Sequence, residues 1–239
     1  MSKFTLVFAC VVLPLIGAAQ TTDTYTDPRE GTLNDRYALG YFMTPHGEVA
    51  AQGNVFLVPN WTPGQLHLAG NTKPIAAPLK YDIYSQEVRA RRPNGDSVAV
   101  PVAKIKEFAM VNRRFVCYPA ATLPPETGGG CAEVLADGSH AQLLKFARKV
   151  LVKQNSQGNS YASSTTISVL EEQKFYYLRW PAESRLTPMR LKRASLEQAL
   201  AGQPAALAAL KARKGSIGNE EELADAVATV APALASPAK

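Results

Sequence analysis

Three segments of the 239-residue chain contain side-chain types from which active sites are built. Asp137, Ser139 and His140 are the acid, nucleophile and base of a hydrolytic triad by type. As near neighbours on one turn they cannot form the line from nucleophile to base to orienting carboxylate, and no Gly-x-Ser-x-Gly elbow occurs, so the segment reads as a polar β-turn. The histidines His46, His67 and His140 have no second histidine or cysteine at ligand spacing, and His46-Gly47-Glu48 by itself does not make a metal site. Gly128-Gly129-Gly130 lacks the Lys and Ser or Thr of a phosphate loop and opens no helix, so it reads as a flexible connection. No catalytic, cofactor-binding or metal-binding residue is assigned, and the expectation is a protein that is not an enzyme.

What remains is one aromatic cluster and one cysteine pair. Phe175, Tyr176, Tyr177 and Trp180, with Arg179 among them, form a candidate ligand or partner surface able to stack on sugars or aromatic molecules; the competing reading is a strand with one face in a core and the other shielding its rim. Cys117 and Cys131 flank the connection Tyr118 to Gly130, which contains Pro119, Pro124, Pro125 and the three glycines. Each ends a predicted strand, so antiparallel pairing of those strands would bring the two side chains within bridging range. A disulfide closing a loop of that size is worth about 3 kcal/mol on the chain-entropy model; two buried free thiols are the alternative.

The elements that position these residues follow a distinct leader. Lys3 precedes the apolar run Phe4 to Ile16 and the small residues Gly17-Ala18-Ala19, the pattern of a secretory signal peptide cleaved between Ala19 and Gln20. The run is too short to span a bilayer, and no transmembrane segment is expected after signal removal. Bulky Phe8 argues against a lipidation box ending at Cys10. Export to the periplasm or cell exterior, soluble or loosely envelope-associated, places Cys117 and Cys131 where disulfides persist. The formal charge of +6 falls to +5 once Lys3 leaves, and the basic residues are dispersed. Nucleic acid is therefore not expected as a partner, and a mildly cationic surface facing anionic envelope polymers or lipid head groups is.

Residues 20–36 are polar and read as a flexible leader, and residues 37–182 as an antiparallel β domain built around Leu79 to Tyr118. Short strands are expected at Tyr37–Met43, Glu48–Ala50, Asn54–Leu57 and Gly64–Leu68. Pro93-Asn94-Gly95-Asp96 marks a hairpin. A three-residue loop Asn94-Gly95-Asp96 sets Ala90 against Val100 and Val88 against Val102 and turns Arg89 and Arg91 to a solvated face with Arg92. Ala141 to Val152 is ambiguous, since Lys145, Arg148, Lys149 and Lys153 line a helical face while Leu144, Phe146, Val150 and Val152 alternate; the preceding Asp-Gly favours strand. Thr165–Val169 and Lys174–Trp180 read as two strands broken at Glu171-Glu172-Gln173.

From Ser195 onward the chain is rich in Ala, Leu, Glu and Lys, and residues 183–230 read as a helical region packed on the sheet, followed by a disordered tail over 231–239. Ser195 with Gln198 reads as a capping box, with Gly202 ending that helix; Pro204 opens a second helix that Gly215 closes; Asn219 with Glu222 starts a third. Leu223, Ala226, Val227 and Val230 give that third helix one apolar stripe to bury on the sheet. The fold class is thus α+β, an antiparallel sheet in the form of a sandwich or partly closed barrel with a small C-terminal helical region.

The order of LKYDIYSQEV, IKEFAM, RRFVCY, AEVLADGSHAQLLKF, YYLRW and SLEQAL behind a signal peptide resembles a broad group of exported β-rich proteins of Bacteroidota. The resemblance implies no enzyme, cofactor or partner. An exported, β-rich, mildly basic chain without convergent catalytic groups is expected to be a noncatalytic envelope or extracellular protein that binds another macromolecule. The alternative is a carrier holding an apolar or aromatic small molecule inside a curled sheet, which needs an interior cavity, whereas a binding module needs an exposed patch on a solid core.

Overall fold

The computed structural model describes residues 41–43, 50–138, 140–156, 165–180 and 185–234. The expected signal peptide and leader, His46 and Ser139 lie outside the described residues. The alternating Val, Ile, Tyr and Phe residues form one sheet of twelve strands: β1 (Tyr41–Met43), β2 (Ala50–Gln52), β3 (Thr62–Leu68), β4 (Ile75–Asp82), β5 (Glu87–Arg91), β6 (Ser97–Val100), β7 (Ile105–Met110), β8 (Arg113–Cys117), β9 (Cys131–Asp137), β10 (Gln142–Ser156), β11 (Thr165–Trp180) and β12 (Arg185–Met189). Their spatial order is β1-β2-β11-β10-β9-β8-β7-β3-β4-β5-β6, with β12 also paired to β11. Every pairing is antiparallel except that of β2 with β11.

The sheet curls without closing. Past the end of β4, the Lys149 N–H in β10 donates to Ile83 O at 2.8 Å. Gln86 Nε2 reaches Ala147 O at 3.2 Å, and Lys149 Nζ donates to Asn54 O and, at 2.9 Å, to Phe56 O. The curl encloses Tyr81, Phe108 and Phe115; the two phenylalanine rings stack at 4.7 Å and the tyrosine meets both edge-on. Leu66, Leu79, Ile83, Val88, Ile105 and Met110 fill the rest, each buried side chain contributing about 1.5–3 kcal/mol of apolar transfer energy. Tyr81 Oη accepts from the Cys131 N–H at 3.1 Å and donates to Gln86 Oε1 at 2.5 Å. Gly130 is tight against this latch, because a Cβ there would lie 2.1 Å from Gln86 Oε1 and its φ is +91°.

Three helices follow the sheet: α1 (Arg193–Ala199), α2 (Pro204–Ala212) and α3 (Glu220–Val230). The predicted stripe Leu223, Ala226, Val227 and Val230 is buried, and it joins Leu143, Leu178, Trp180 and Met189 in a second core. Asn219 Oδ1 accepts from the Glu222 N–H at 2.9 Å, so the predicted cap opens α3. Because directly paired strand residues share a face, Leu143 with Leu178 and Lys145 with Tyr176 stand on the same concave face as Glu133 and Phe115. One concave surface therefore carries the ring-filled core at one end and the helices at the other.

Several expectations are corrected in detail. The hairpin loop is three residues long but consists of Pro93-Asn94-Gly95: Gly95 N–H donates to Arg92 O at 3.0 Å, Arg92 N–H donates to Asp96 O at 2.7 Å, and Gly95 takes the left-handed φ of +96°. Proline at the second position of the turn and glycine at its end fit a type I turn with a bulge better than the frame one residue later. Ala90 thus pairs with Val98 and Val88 with Val100. The shift is two positions in register, so Arg89 and Arg91 keep the face the sequence assigned. Asn54–Leu57 holds only a bridge, Phe56 with Asp82. β10 is strand, and β11 runs unbroken through Glu171-Glu172-Gln173 because each residue there is paired with β10. Ser195 does not cap a helix; α1 begins at Arg193, and Ser195 Oγ accepts from the Arg190 N–H. The region read as helical from 183 begins with β12, and Ala231 and Leu234, assigned to the tail, are buried.

Candidate functional site

Cys117 and Cys131 are direct cross-strand partners of β8 and β9, with Cα atoms 4.0 Å apart, and they form a disulfide. Tyr118 N–H donates to Gly130 O on the next pair, so the cysteines occupy the closer, non-hydrogen-bonded type of position.

The predicted aromatic cluster is not brought to one surface. Phe175 and Tyr177 face the outer side of β11, where they pack with Leu144 and Phe146 under the loop carrying Leu123. Tyr177 Oη donates to Glu126 Oε1 at 2.7 Å, and the Arg148 guanidinium lies 5.2 Å from the Phe175 ring. Tyr176 faces the concave side and donates to Glu220 Oε1 at 2.7 Å. Trp180 is buried in the helical core, and Arg179 lies over the Tyr118 ring at 5.3 Å. These side chains are divided between two cores, and each contact serves the fold.

Between the two halves of the concave face lies a cluster of charges that sequence reasoning missed. Glu133, 7 % exposed, accepts two hydrogen bonds from Arg113 at 2.5 and 2.6 Å and stands 2.8 Å from Lys145 Nζ. Lys145, also 7 % exposed, donates to Glu220 Oε2 at 2.7 Å, and Lys174 adds a contact to Glu220 at 3.8 Å. Burial alone would raise the Glu133 carboxyl, but hydrogen bonds from Arg113 and Lys145 outweigh it and hold the group below its ordinary 4.5. Glu220 is lowered in the same way, against burial, by Lys145 and Tyr176. Burial and the Glu220 carboxylate together push the Tyr176 phenol well up. Glu133 and Glu220 are matched by Arg113 and Lys145, and Lys174 lies between Glu220 and Glu172 at 3.8 Å from each; the cluster fastens the first turn of α3 to β9, β10 and β11. The hairpin signal at Asp137-Gly138 pointed to pairing of these strands, but the bulge between Leu143 and Leu144 hid which residues meet.

The outer face of β3 to β6 differs. Register places Trp61, Pro63, Pro78, Lys80, Arg89, Arg91, Ser97 and Ala99 there. Lys80 Nζ lies 4.6 Å from the Phe56 ring and 5.2 Å from the Trp61 ring; burial, then the charge of Arg89, lowers its pKa. Arg91 and Arg92 are exposed, and Arg91 Nε donates to Gly95 O at 3.1 Å. Together with Trp61, Asp96, Ser97 and Val98 they line an open depression of about 580 Å³. A second, more apolar depression of about 750 Å³ lies over Thr62, Pro63, Gln65, Ala76 and Ala109.

No protein-family model, curated protein or solved structure matches this chain. Among the described residues, no group of three or more His, Cys, Asp or Glu side chains is placed to hold a metal ion, and no helix is long and apolar enough to cross a membrane. His67 is half-buried on β3, opposite Glu107 of β7, and His140 is half-buried beside the β9–β10 turn. The sequence assigned the arginines to a solvated face; that Trp61 shares a surface with Arg89 and Arg91 follows only from the pairing of β3, β4, β5 and β6.

Proposed function

We propose that this chain is a noncatalytic exported protein of the cell envelope or extracellular space that docks another macromolecule on the outer face of β3 to β6. The observation that carries the reading is the contrast between a curl filled by Tyr81, Phe108 and Phe115 and an outer face bearing Trp61 and Arg91, with Arg92 lining the same depression from the β5–β6 turn. A solid core with a half-buried aromatic beside an exposed cationic patch fits a binding module. A carrier would need room where those rings stack. The buried charges are consistent with a noncatalytic role, since Glu133, Lys145 and Glu220 are each other's partners. The signal peptide read from Lys3 to Ala19 and the Cys117–Cys131 bond favour export.

Cosedimentation of the exported chain with washed envelope fragments tests the reading, with native mass spectrometry of the same preparation. Retention on the fragments by a chain that starts at Gln20 and carries no small molecule is the expected result. A stoichiometric copurified small molecule, or no retention, overturns it.

A further inference from the structure

We infer that the groove formed by Trp61, Arg91, Arg92 and the strand edge that β6 presents among the described residues, with Lys80 behind the tryptophan, binds a glycan chain bearing carboxylate sugars. The inference rests on the docking function proposed above and names the chemistry of its partner. Four features of the groove converge on this class.

Trp61 presents a flat ring at the wall of the depression, with one side braced by Lys80 at 5.2 Å. Such a ring is a platform for the C–H face of a pyranose. Pro63 and Pro78, paired across β3 and β4, continue the rigid apolar surface beyond it. Arg91 and Arg92 supply planar guanidinium forks whose geometry matches a carboxylate. β6 ends the strand order. Because Arg92 N–H donates to Asp96 O, the alternation of antiparallel pairing turns the backbone groups of Ser97 and Ala99 outward, where they can meet hydroxyl groups.

Asp96 narrows the choice of occupant. It lines the same groove, held by Asn94 Nδ2 at 2.6 Å, and its charge opposes a ligand with a negative group at every atom row. A polyphosphate or nucleic acid meets that repulsion; a glycan with one carboxylate per ring and neutral hydroxyls between does not. Pro63, two residues from Trp61 on the same face, lines the second depression along β3, so the surface continues past a single sugar. A chain, not a monosaccharide, is the fitting ligand.

Titration of the full exported chain with tetragalacturonate and with an alginate tetramer, read by tryptophan fluorescence and calorimetry, tests the assignment. Neutral cellotetraose, polyphosphate and phosphatidylglycerol vesicles serve as comparison ligands. At least one acidic tetramer is expected to bind roughly tenfold or more tightly than cellotetraose and polyphosphate, and both Trp61→Ala and Arg91→Gln to weaken it by roughly tenfold. Lys211→Gln, on α2, is expected to leave the affinity unchanged. Trp61 is half-buried, so Arg91→Gln, at an exposed position, carries the result if Trp61→Ala unfolds. Binding to vesicles alone, polyphosphate binding as tight as the tetramers, silence toward both tetramers, or indifference to Arg91→Gln each overturns the assignment. If the chain still sediments with envelope fragments in those cases, the docking function stands and only the glycan groove falls. If it does not sediment, the docking function falls as well.

Discussion

The concave cluster around Lys145 and the outer face around Arg91 are built from the same residue types on the same sheet, yet their charges meet different fates. On the concave face, Glu133 and Glu220 close on Lys145 from β9 and α3, and Arg113 completes the set. On the outer face, Lys80 and Arg91 stand near a tryptophan with Glu87 a nearby acid, and Arg92 and Asp96 border them at the β5–β6 turn. What separates them is burial and register, not composition. A charge inside the fold must be matched because desolvation is costly, whereas a charge at the rim stays hydrated and is available to a partner. Substitution should expose that difference most sharply at Lys145. Lys145→Met leaves two carboxylates facing each other without their shared cation, and is expected to lower stability by about 3 kcal/mol in urea unfolding. Adding Glu133→Leu should recover part of that loss, as expected of a matched pair. A cost below about 1 kcal/mol for Lys145→Met would place the cluster with ordinary surface pairs and dissolve the contrast.

A second comparison concerns what holds each half of the concave face together. The helical half is held by the α3 stripe and Glu220; the ring-filled half carries the Cys117–Cys131 bond where β8 turns into β9. Replacing both cysteines with serine is expected to lower stability by about 3 kcal/mol and leave the fold recognisable by circular dichroism. The bond's presence is checked by nonreducing mass analysis, in which two freely alkylated thiols in exported protein would contradict it.

The central hairpins, the strand state of β10, the α3 stripe and the disulfide were all legible, because each depends on local alternation, on a turn signal or on a pairing that two neighbouring strands impose. The loop Pro93-Asn94-Gly95 was legible in length but not in frame, since Asn-Gly and Pro-Asn-Gly both supply a turn and only the Arg92–Asp96 hydrogen bond decides. The continuity of β11 was hidden because Glu171-Glu172-Gln173 looks like a break; Arg148 Nε, donating to Gln173 Oε1 at 3.0 Å, is part of what keeps it extended. The candidate site was the least legible part. Trp61 and Arg91 are thirty residues apart in sequence, and the β3–β4 and β4–β5 pairings that unite them place them on one face only when both registers are known. Phe175 to Trp180 misled for the opposite reason: contiguity suggested one surface, and the period of two divided it.

Acid should sharpen the contrast between the two charged regions by acting on the buried one. Glu133 and Glu220 are held below their ordinary 4.5 by their cationic and hydroxyl partners. A depressed carboxyl contributes stability that is fully present above its unfolded value and is lost as pH falls through its folded value. The unfolding midpoint should therefore stay level from neutral pH down to about 4.5 as far as these groups are concerned, and fall below it. In Lys145→Met that fall should be shallower, because the cation that lowers both carboxyls is gone. A fall of equal steepness in the variant would show that other carboxylates govern acid unfolding.

The smallest expected effect on stability is at the outer face, where it is the most telling. Arg91→Gln with Arg92→Gln removes as much formal charge as a change in the concave cluster would, but both side chains are exposed and flank the β5–β6 turn. Arg91 Nε donates to Gly95 O in that turn, an exposed hydrogen bond that glutamine can partly replace. The pair is expected to shift unfolding free energy by no more than about 0.5 kcal/mol, in the range of surface substitutions that break no buried contact. Raising the ionic strength should change the stability of this variant and of the parent chain alike, since exposed charges are already screened over about 8 Å at physiological salt. A loss above about 1 kcal/mol would mean that these arginines hold the hairpin in place, in which case their exposure would reflect structure and the outer face would no longer differ in kind from the cluster around Lys145.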